Sequence, residues 1–141
     1  MNELERMPEQ VIFDTSVLVD ELRSGRHRQR FASLNEVVRV SSVVLAELTR
    51  GAVNTADRAF VHDLSRHRPI LTPTEKNWLE SGAILARMCA DHGFAPAKLR
   101  DLHFAVLIAL TARSNGARLI TTNTSDFELI RKYRDFKLEL W

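Results

Sequence analysis

A small α/β sandwich, with a mostly parallel central sheet of four to five strands and helices on both faces, is the fold class this sequence predicts. Two observations point to it. Short apolar runs alternate with long stretches of helical periodicity along the whole chain, and no Asn-Gly turn of the hairpin type joins one strand-like run to the next. In such folds the functional site lies outside the carboxyl ends of the strands.

The first run, "QVIFD" at residues 10–14, is apolar and ends in polar residues, as a buried strand leading into a loop does. Thr15 or Ser16 can cap a helix through "VLVDELR". A second helix near "RQRFASLNE" (28–36) precedes the strand "VVRV" (37–40). "SSVVLAELTRG" then predicts a capped helix stopped at Gly51, and a helix over "TADRAFVHDLSRH" (55–67) follows. "PILTP" is a strand flanked by prolines. Two long helices come next, "TEKNWLESGAILARMCADHG" closed by Gly93 and "AKLRDLHFAVLIALTARSNG" ending at Gly116. Strand "ARLITT", a short helix from Phe127 to Tyr133 and a last strand "KLELW" complete the order.

A chain of 141 residues with 45% hydrophobic content is enough for one domain with one core. A single domain over 1–141 is expected, with residues 1–9 as a flexible tail. No run approaches the roughly 18 apolar residues needed to span a bilayer, and "MNELERMPEQ" lacks the order of a signal peptide, so a cytoplasmic protein without membrane contact is expected. The single cysteine, Cys89, can form no internal disulfide and fits a core or helix-face thiol. Net charge is +2, but 16 of the 20 basic residues are arginine, and Arg23, Arg26, Arg28 and Arg30 cluster around "RSGRHRQRF". The planar guanidinium fork suits phosphate, so this cluster could touch an RNA backbone; a solvated helix face accounts for it equally well.

Four acids look displaced from ordinary surface use. Asp14 ends the first strand, where it could also cap the next helix. Glu47 shares a helix face with Val43 and Val44, so it points toward the covered side unless it pairs with Arg50. Asp126 follows the fourth strand, beside a Ser125/Glu128 capping box that would explain it as helix-start chemistry. Asp101 lies on the stripe Asp101, Ala105, Ile108, Ala112 of the most apolar helix, where it could instead complement the helix dipole in the first turn.

Jointly these acids can converge on one rim. Clustered carboxylates repel, so they call for a hard cation, and Mg²⁺ or Mn²⁺ with oxygen ligands is the natural choice. Such a site suits phosphodiester hydrolysis. The five histidines show no zinc-ligand spacing, and there is no cysteine pair. Phosphate loops of the Gly-x-x-x-x-Gly-Lys and Gly-x-Gly-x-x-Gly types are missing, so no nucleotide cofactor is expected.

"FDTSVLVD", "SSVVLAELTRG", "VLIALTARSNGARLITTNTSDF" and the short C-terminal strand resemble, in order and spacing, the PIN-domain family, and within it the VapC-type ribonuclease toxins. The resemblance implies a PIN-like three-layer sandwich and a metal-dependent endoribonuclease toxin acting on RNA. It also implies a homodimer silenced by a protein antitoxin. Asp14 matches the first family acid and Glu47 the second; Asn123 matches a position that is Asp or Asn, and Asp126 the acid just beyond. Ser16 and Thr122 match the small hydroxyl residues that orient the acid and the substrate phosphate.

The third family acid stands three residues before the isoleucine of "LIA", and here that position is Ala105. Asp101 lies one turn earlier on the same stripe, about 6 Å along the axis at ~1.5 Å per residue. Ala105 is compatible with three origins: an engineered replacement that made a toxic nuclease safe to express, a natural shift of the acid to Asp101, or a domain that only binds RNA or an antitoxin. Two functional alternatives therefore accompany the nuclease. One is that inactive PIN-like binding module; the other, more remote, is a phosphohydrolase with Asp14 as nucleophile, although the second acid of an Asp-x-Asp pair is here Ser16.

Overall fold

The structure is a computed structural model that describes residues 8–141, in which five strands and seven helices alternate. Strand β1 (Gln10–Phe13) leads into α1 (Thr15–Ser24), which Gly25 ends in the left-handed conformation at φ 66°. Helix α2 (Arg28–Ala32) follows, then β2 (Val37–Ser41) and α3 (Ser42–Gly51). Helix α4 (Thr55–His67), β3 (Ile70–Leu71), α5 (Glu75–His92) and α6 (Pro96–Ser114) form the middle of the chain. Strand β4 (Arg118–Thr121), α7 (Thr124–Arg131) and β5 (Leu138–Leu140) close it.

All strands are parallel, in the order β3-β2-β1-β4-β5. The chain builds outward from β1 to β3 and then returns to lay β4 on the other side of β1. With crossovers of the usual right hand, the outward run from β1 to β3 and the return to β4 and β5 put helices on both faces of the sheet. The direction of winding reverses between β1 and β4, which opens a crevice outside their carboxyl ends. The register Phe13↔Ile120 sets the next residues, Asp14 and Thr121, side by side at that crevice.

The core explains why α6 lacks a polar face over most of its length. Val106, Leu107, Ile108, Ala109, Leu110 and Ala112 are all buried, because the helix packs on α5, α7, α3 and β4 at once. Phe127 and Ile130 of α7 and Val43, Val44 and Leu48 of α3 fill the space around it. Each such side chain stabilises the fold by about 1.5–3 kcal/mol on burial.

Several boundaries differ from the sequence expectation. Neither Thr15 nor Ser16 caps α1: Asp14 holds the N-cap position and makes no side-chain capping bond. Helix α2 stops at Ala32 instead of reaching residue 36, since Ser33 turns its hydroxyl back onto the Gln29 carbonyl and its amide onto Gln29 and Arg30. Gly51 is the last helical residue of α3, with Ala52 at the cap. Helix α7 begins at Thr124, three residues before Phe127, because Asn123 and not the Ser125/Glu128 pair caps it. Cys89 is on the exposed face of α5.

Of the tail expected over 1–9, residues 1–7 lie outside the described residues. Glu9 is anchored: its carbonyl accepts from Val37 N–H at 2.8 Å and its carboxylate pairs with Arg118 at 2.8 Å. Among the described residues no helix is long and apolar enough to cross a membrane.

Candidate active site

Asp14 is only 6% exposed, and two hydroxyls fix it. Ser16 Oγ donates to Asp14 Oδ2 at 2.7 Å, and Thr121 Oγ1 donates to the same oxygen at 2.9 Å. Its backbone N–H continues the β1–β4 ladder to the Ile120 carbonyl at 2.9 Å. Thr122, matched with Ser16 to the hydroxyls that orient the acid and the substrate phosphate, makes no side-chain hydrogen bond to Asp14; its backbone N–H bonds Ser16 Oγ at 3.3 Å. The parallel register decides this, since it places Thr121 and not Thr122 opposite Asp14. Alternation along "LITT" was a signal for that choice, but only the strand pairing gives it a direction.

Glu47 is positioned by the start of α3. Fully buried Ser41 caps the helix, its Oγ accepting from Val43 N–H at 3.1 Å and Val44 N–H at 3.3 Å. With Val43, Val44 and Leu48 facing inward, Glu47 falls at the edge of the covered face and is half-buried. Thr15 Oγ1 donates to Glu47 Oε1 at 2.8 Å. Burial pushes the Glu47 carboxyl above the ordinary range, and repulsion from Asp14 and Asp101 adds to it, against the Thr15 hydrogen bond and the Arg50 charge. No ion pair forms with Arg50, whose guanidinium lies over the Phe104 ring at 5.8 Å.

The stripe on α6 faces the same crevice. Asp101, Ala105 and Ile108 line one pocket of about 280 Å³ together with Asp14, Glu47, Asn123 and Asp126. Asp101 is exposed and sits beyond the first turn of α6, which holds no acid, so the dipole explanation for it falls away. Ala105 is buried at 8% exposure and presents only a methyl group.

On the far side of the pocket, Asn123 and Asp126 brace each other. The Asn123 N–H donates to Thr121 Oγ1 at 2.9 Å, its Oδ1 accepts from Asp126 N–H at 3.5 Å, and its Nδ2 donates to Asp126 Oδ2 at 3.1 Å. The other carboxylate oxygen of Asp126 pairs with Lys98 Nζ at 2.7 Å. Lys98 escaped the sequence analysis; its one signal was its place a turn before Asp101 on the α6 stripe.

The arginine cluster is elsewhere. Arg26 pairs with Asp20, Arg30 stands over Trp141 at 5.4 Å, Arg28 borders an apolar groove, and Arg23 ends α1. None of them lines the carboxylate pocket.

Among the described residues no three His, Cys, Asp or Glu side chains are grouped closely enough to hold a metal ion. Mg²⁺ needs fewer: it usually keeps several waters and takes one or two carboxylates. Asp14 and Glu47 supply two. Both hydroxyl bonds to Asp14 fall on Oδ2 and neither on Oδ1, and the Glu47 carboxylate meets repulsion that a cation would relieve. The Asp14/Glu47 side of the pocket fits a hard cation, whereas the Asp126 carboxylate is already paired with an ammonium.

Comparison with known proteins agrees with this architecture. The PIN-domain family model matches residues 11–133, a span that includes every pocket residue above. Among solved structures the chain is similar to VapBC2 from Rickettsia felis, bound to a DNA fragment from their promoter (TM-score 0.68, 20% identity, 94% of this chain and 98% of that one). It is also similar to VapBC-5 of Mycobacterium tuberculosis, a member of the VapBC family of toxin-antitoxin systems (0.63, 23%, 95% and 100%). A third is VapC20 of the same organism, a toxin that cleaves the sarcin-ricin loop (0.62, 18%, 84% and 94%). At these identities the likeness is one of fold. No curated protein matches the sequence at a significant level.

Proposed function

The chain belongs to the PIN-domain family, and on that premise we propose that it is built as a metal-dependent endoribonuclease toxin of the VapC type. The observation that carries this is the pair Asp14 and Glu47, drawn from two different elements and turned into one pocket by Ser16, Thr121 and Thr15. Family membership favours the nuclease over the aspartate-nucleophile alternative.

Asp14 and Glu47 would hold Mg²⁺ or Mn²⁺, with Asp101 at the open edge. When bound, such an ion supplies an activated water and stabilises charge on the phosphodiester. The chain's own residues do the rest. Ser16 and Thr121 both donate to Asp14 Oδ2 and fix the direction of the carboxylate. Thr15 does the same for one oxygen of Glu47, and Asn123 ties the end of β4 to α7 so that the pocket keeps its width.

Ala105 leaves the donor set one carboxylate short of the family pattern, which makes the chain as it stands a weak or silent nuclease. The test is cleavage of structured and single-stranded RNA with Mg²⁺ or Mn²⁺ by this chain and by its Ala105→Asp variant. Cleavage by the variant, abolished by adding Asp14→Asn, is the expected result. If neither chain cuts any RNA and neither binds metal, the nuclease reading fails. RNA retained without cleavage by Ala105→Asp would favour the second reading, a non-catalytic RNA- or antitoxin-binding module, to which Ala105 itself gives support.

An antitoxin partner follows from the same reading. An apolar groove of about 510 Å³ runs between α1, α2 and α4, lined by Leu18, Leu22, Phe31, Phe60 and Leu64. Glu21 borders it with a buried Oε2 that has no hydrogen-bond partner among the described residues. An amphipathic peptide carrying a lysine or arginine would fill the groove and pair with Glu21. The homodimer and the cytoplasmic location belong to this proposal as well; Trp78 and Leu79 offer an exposed apolar edge on α5 for a second copy.

A further inference from the structure

Four carboxylates around one pocket repel a polyanion, so an RNA backbone approaching Asp14 needs a cation to meet it. Lys98 is the only cationic side chain, among the described residues, that is ion-paired to a pocket residue. From this we infer that Lys98 grips a phosphate oxygen of the RNA, and that Asp126 is there to hold this lysine and not to ligate a metal. The inference rests on the ribonuclease reading above and deepens it.

Three observations carry it. Asp126 has both oxygens spoken for, by Lys98 Nζ at 2.7 Å and by Asn123 Nδ2 at 3.1 Å, and its side chain is 16% exposed. A cation ligated by Asp126 would share the carboxylate with the lysine and meet the repulsion of its ammonium at close range; a phosphate would be attracted by it. Second, the Lys98 side chain is 41% exposed and Asp126 is its one hydrogen-bond partner among the described residues. An ammonium carries three N–H donors, so two remain for a further ligand. Third, Lys98 and Asp101 are three residues apart on α6, with Ala105 and Ile108 continuing the stripe into the pocket. A phosphate held by Lys98 would therefore lie along the line that leads to Asp14 and Glu47. In this arrangement Asp14 and Glu47 would hold the metal, and Lys98 would supply positive charge from the chain itself.

The experiment has two readouts that do not depend on cleavage. Binding of a labelled, 2′-O-methylated single-stranded RNA is followed by fluorescence anisotropy over a salt series, and Mn²⁺ binding by calorimetry, for the native chain and for Lys98→Met, Lys98→Arg, Asp126→Asn and Asp14→Asn. Lys98→Met removes a half-exposed side chain and so keeps the fold, which circular dichroism checks. It should reduce the slope of log K against log salt by about 0.7, the value for one phosphate contact on a single strand, while Lys98→Arg retains it. Asp126→Asn should weaken RNA binding in the same direction and change Mn²⁺ affinity by less than about threefold, under 1 kcal/mol. Asp14→Asn should lose Mn²⁺.

An unchanged salt slope in Lys98→Met, absence of RNA binding by the native chain, or loss of Mn²⁺ in Asp126→Asn with RNA binding intact would each overturn the assignment. RNA cleavage by Ala105→Asp together with an unchanged Lys98→Met slope removes the lysine's role and leaves the nuclease standing. The reverse pair of results keeps the lysine contact and removes the nuclease.

Discussion

Thr121 ends β4 and Asp14 directly follows the adjacent parallel strand β1, and the threonine hydroxyl donates to Asp14 Oδ2 at 2.9 Å while accepting the Asn123 N–H at 2.9 Å. One fully buried hydroxyl thus joins the first acid to the loop that carries Asn123 and Asp126. Removing it should cost more than an ordinary hydrogen bond. Thr121→Val, which keeps the shape, is expected to lower stability to urea by about 1–3 kcal/mol, because it leaves a buried carboxylate and a loop amide each short of a partner. A loss below about 0.5 kcal/mol, the level of a neutral surface change, would show that the hydroxyl is not holding the site together.

Glu47 carries a pH dependence of definite sign. Its folded pKa is raised above the ordinary 4.5, mainly by burial and then by Asp14 and Asp101. The folded state therefore holds this proton more tightly than the unfolded chain does. Its contribution is fully present below the unfolded pKa and is lost as pH rises through the folded one. In EDTA, Glu47→Gln should become more stable relative to the native chain as pH is raised from about 4 to 7, and the two should converge at the acid end. Parallel urea midpoints across that range would count against the buried placement of the carboxylate.

Ala105→Asp tests the pocket through stability as well as activity. Position 105 is buried beside Ile108 and one turn from Asp101, so a carboxylate there should destabilise the metal-free protein by about 1–3 kcal/mol. Mn²⁺ should restore it. At a hundredfold excess over Kd, binding to the folded state alone contributes about 2.7 kcal/mol, which thermal melts with and without EDTA can resolve. Mn²⁺ should raise the melting temperature of the native chain less. A variant that melts identically in Mn²⁺ and EDTA would mean that the added carboxylate does not complete a cation site.

The apolar groove gives a fourth expectation. Leu64→Asp puts a charge among Leu18, Leu22, Phe31 and Phe60, where an antitoxin peptide would lay its apolar side. Co-expressed with the product of the adjacent reading frame, the native chain should copurify as a complex, and Leu64→Asp should not. Because Leu64 is only partly buried, the free variant should still fold. Retained copurification would place the partner on another surface.

How far the sequence could be read depended on the range of the interactions involved. Strand and helix identities follow from local periodicity, and all twelve elements occur in the expected order. The parallel sheet was legible because apolar runs separated by helices leave few other arrangements. Boundaries were harder where a polar side chain competes for the backbone, as Ser33 does at the end of α2 and Asn123 at the start of α7. The arginine cluster divides in a way that sequence neighbourhood does not show: Arg26 and Arg30 line one surface pocket with His27 and Trp141, while Arg28 borders the apolar groove.

By itself, then, the sequence determined the class of fold, the family pattern and the placing of Asp14, Glu47, Asp101, Asn123 and Asp126 at element ends where a parallel sheet can gather them. It also determined that position 105 carries no acid. Only the tertiary structure decided which groups touch. Thr121 and not Thr122 faces Asp14 because strand register is a long-range property, and a shift of one residue sends the side chain to the opposite face. Lys98 reaches Asp126 across 28 positions of sequence because α6 and α7 pack side by side, and no pattern within either helix encodes that meeting.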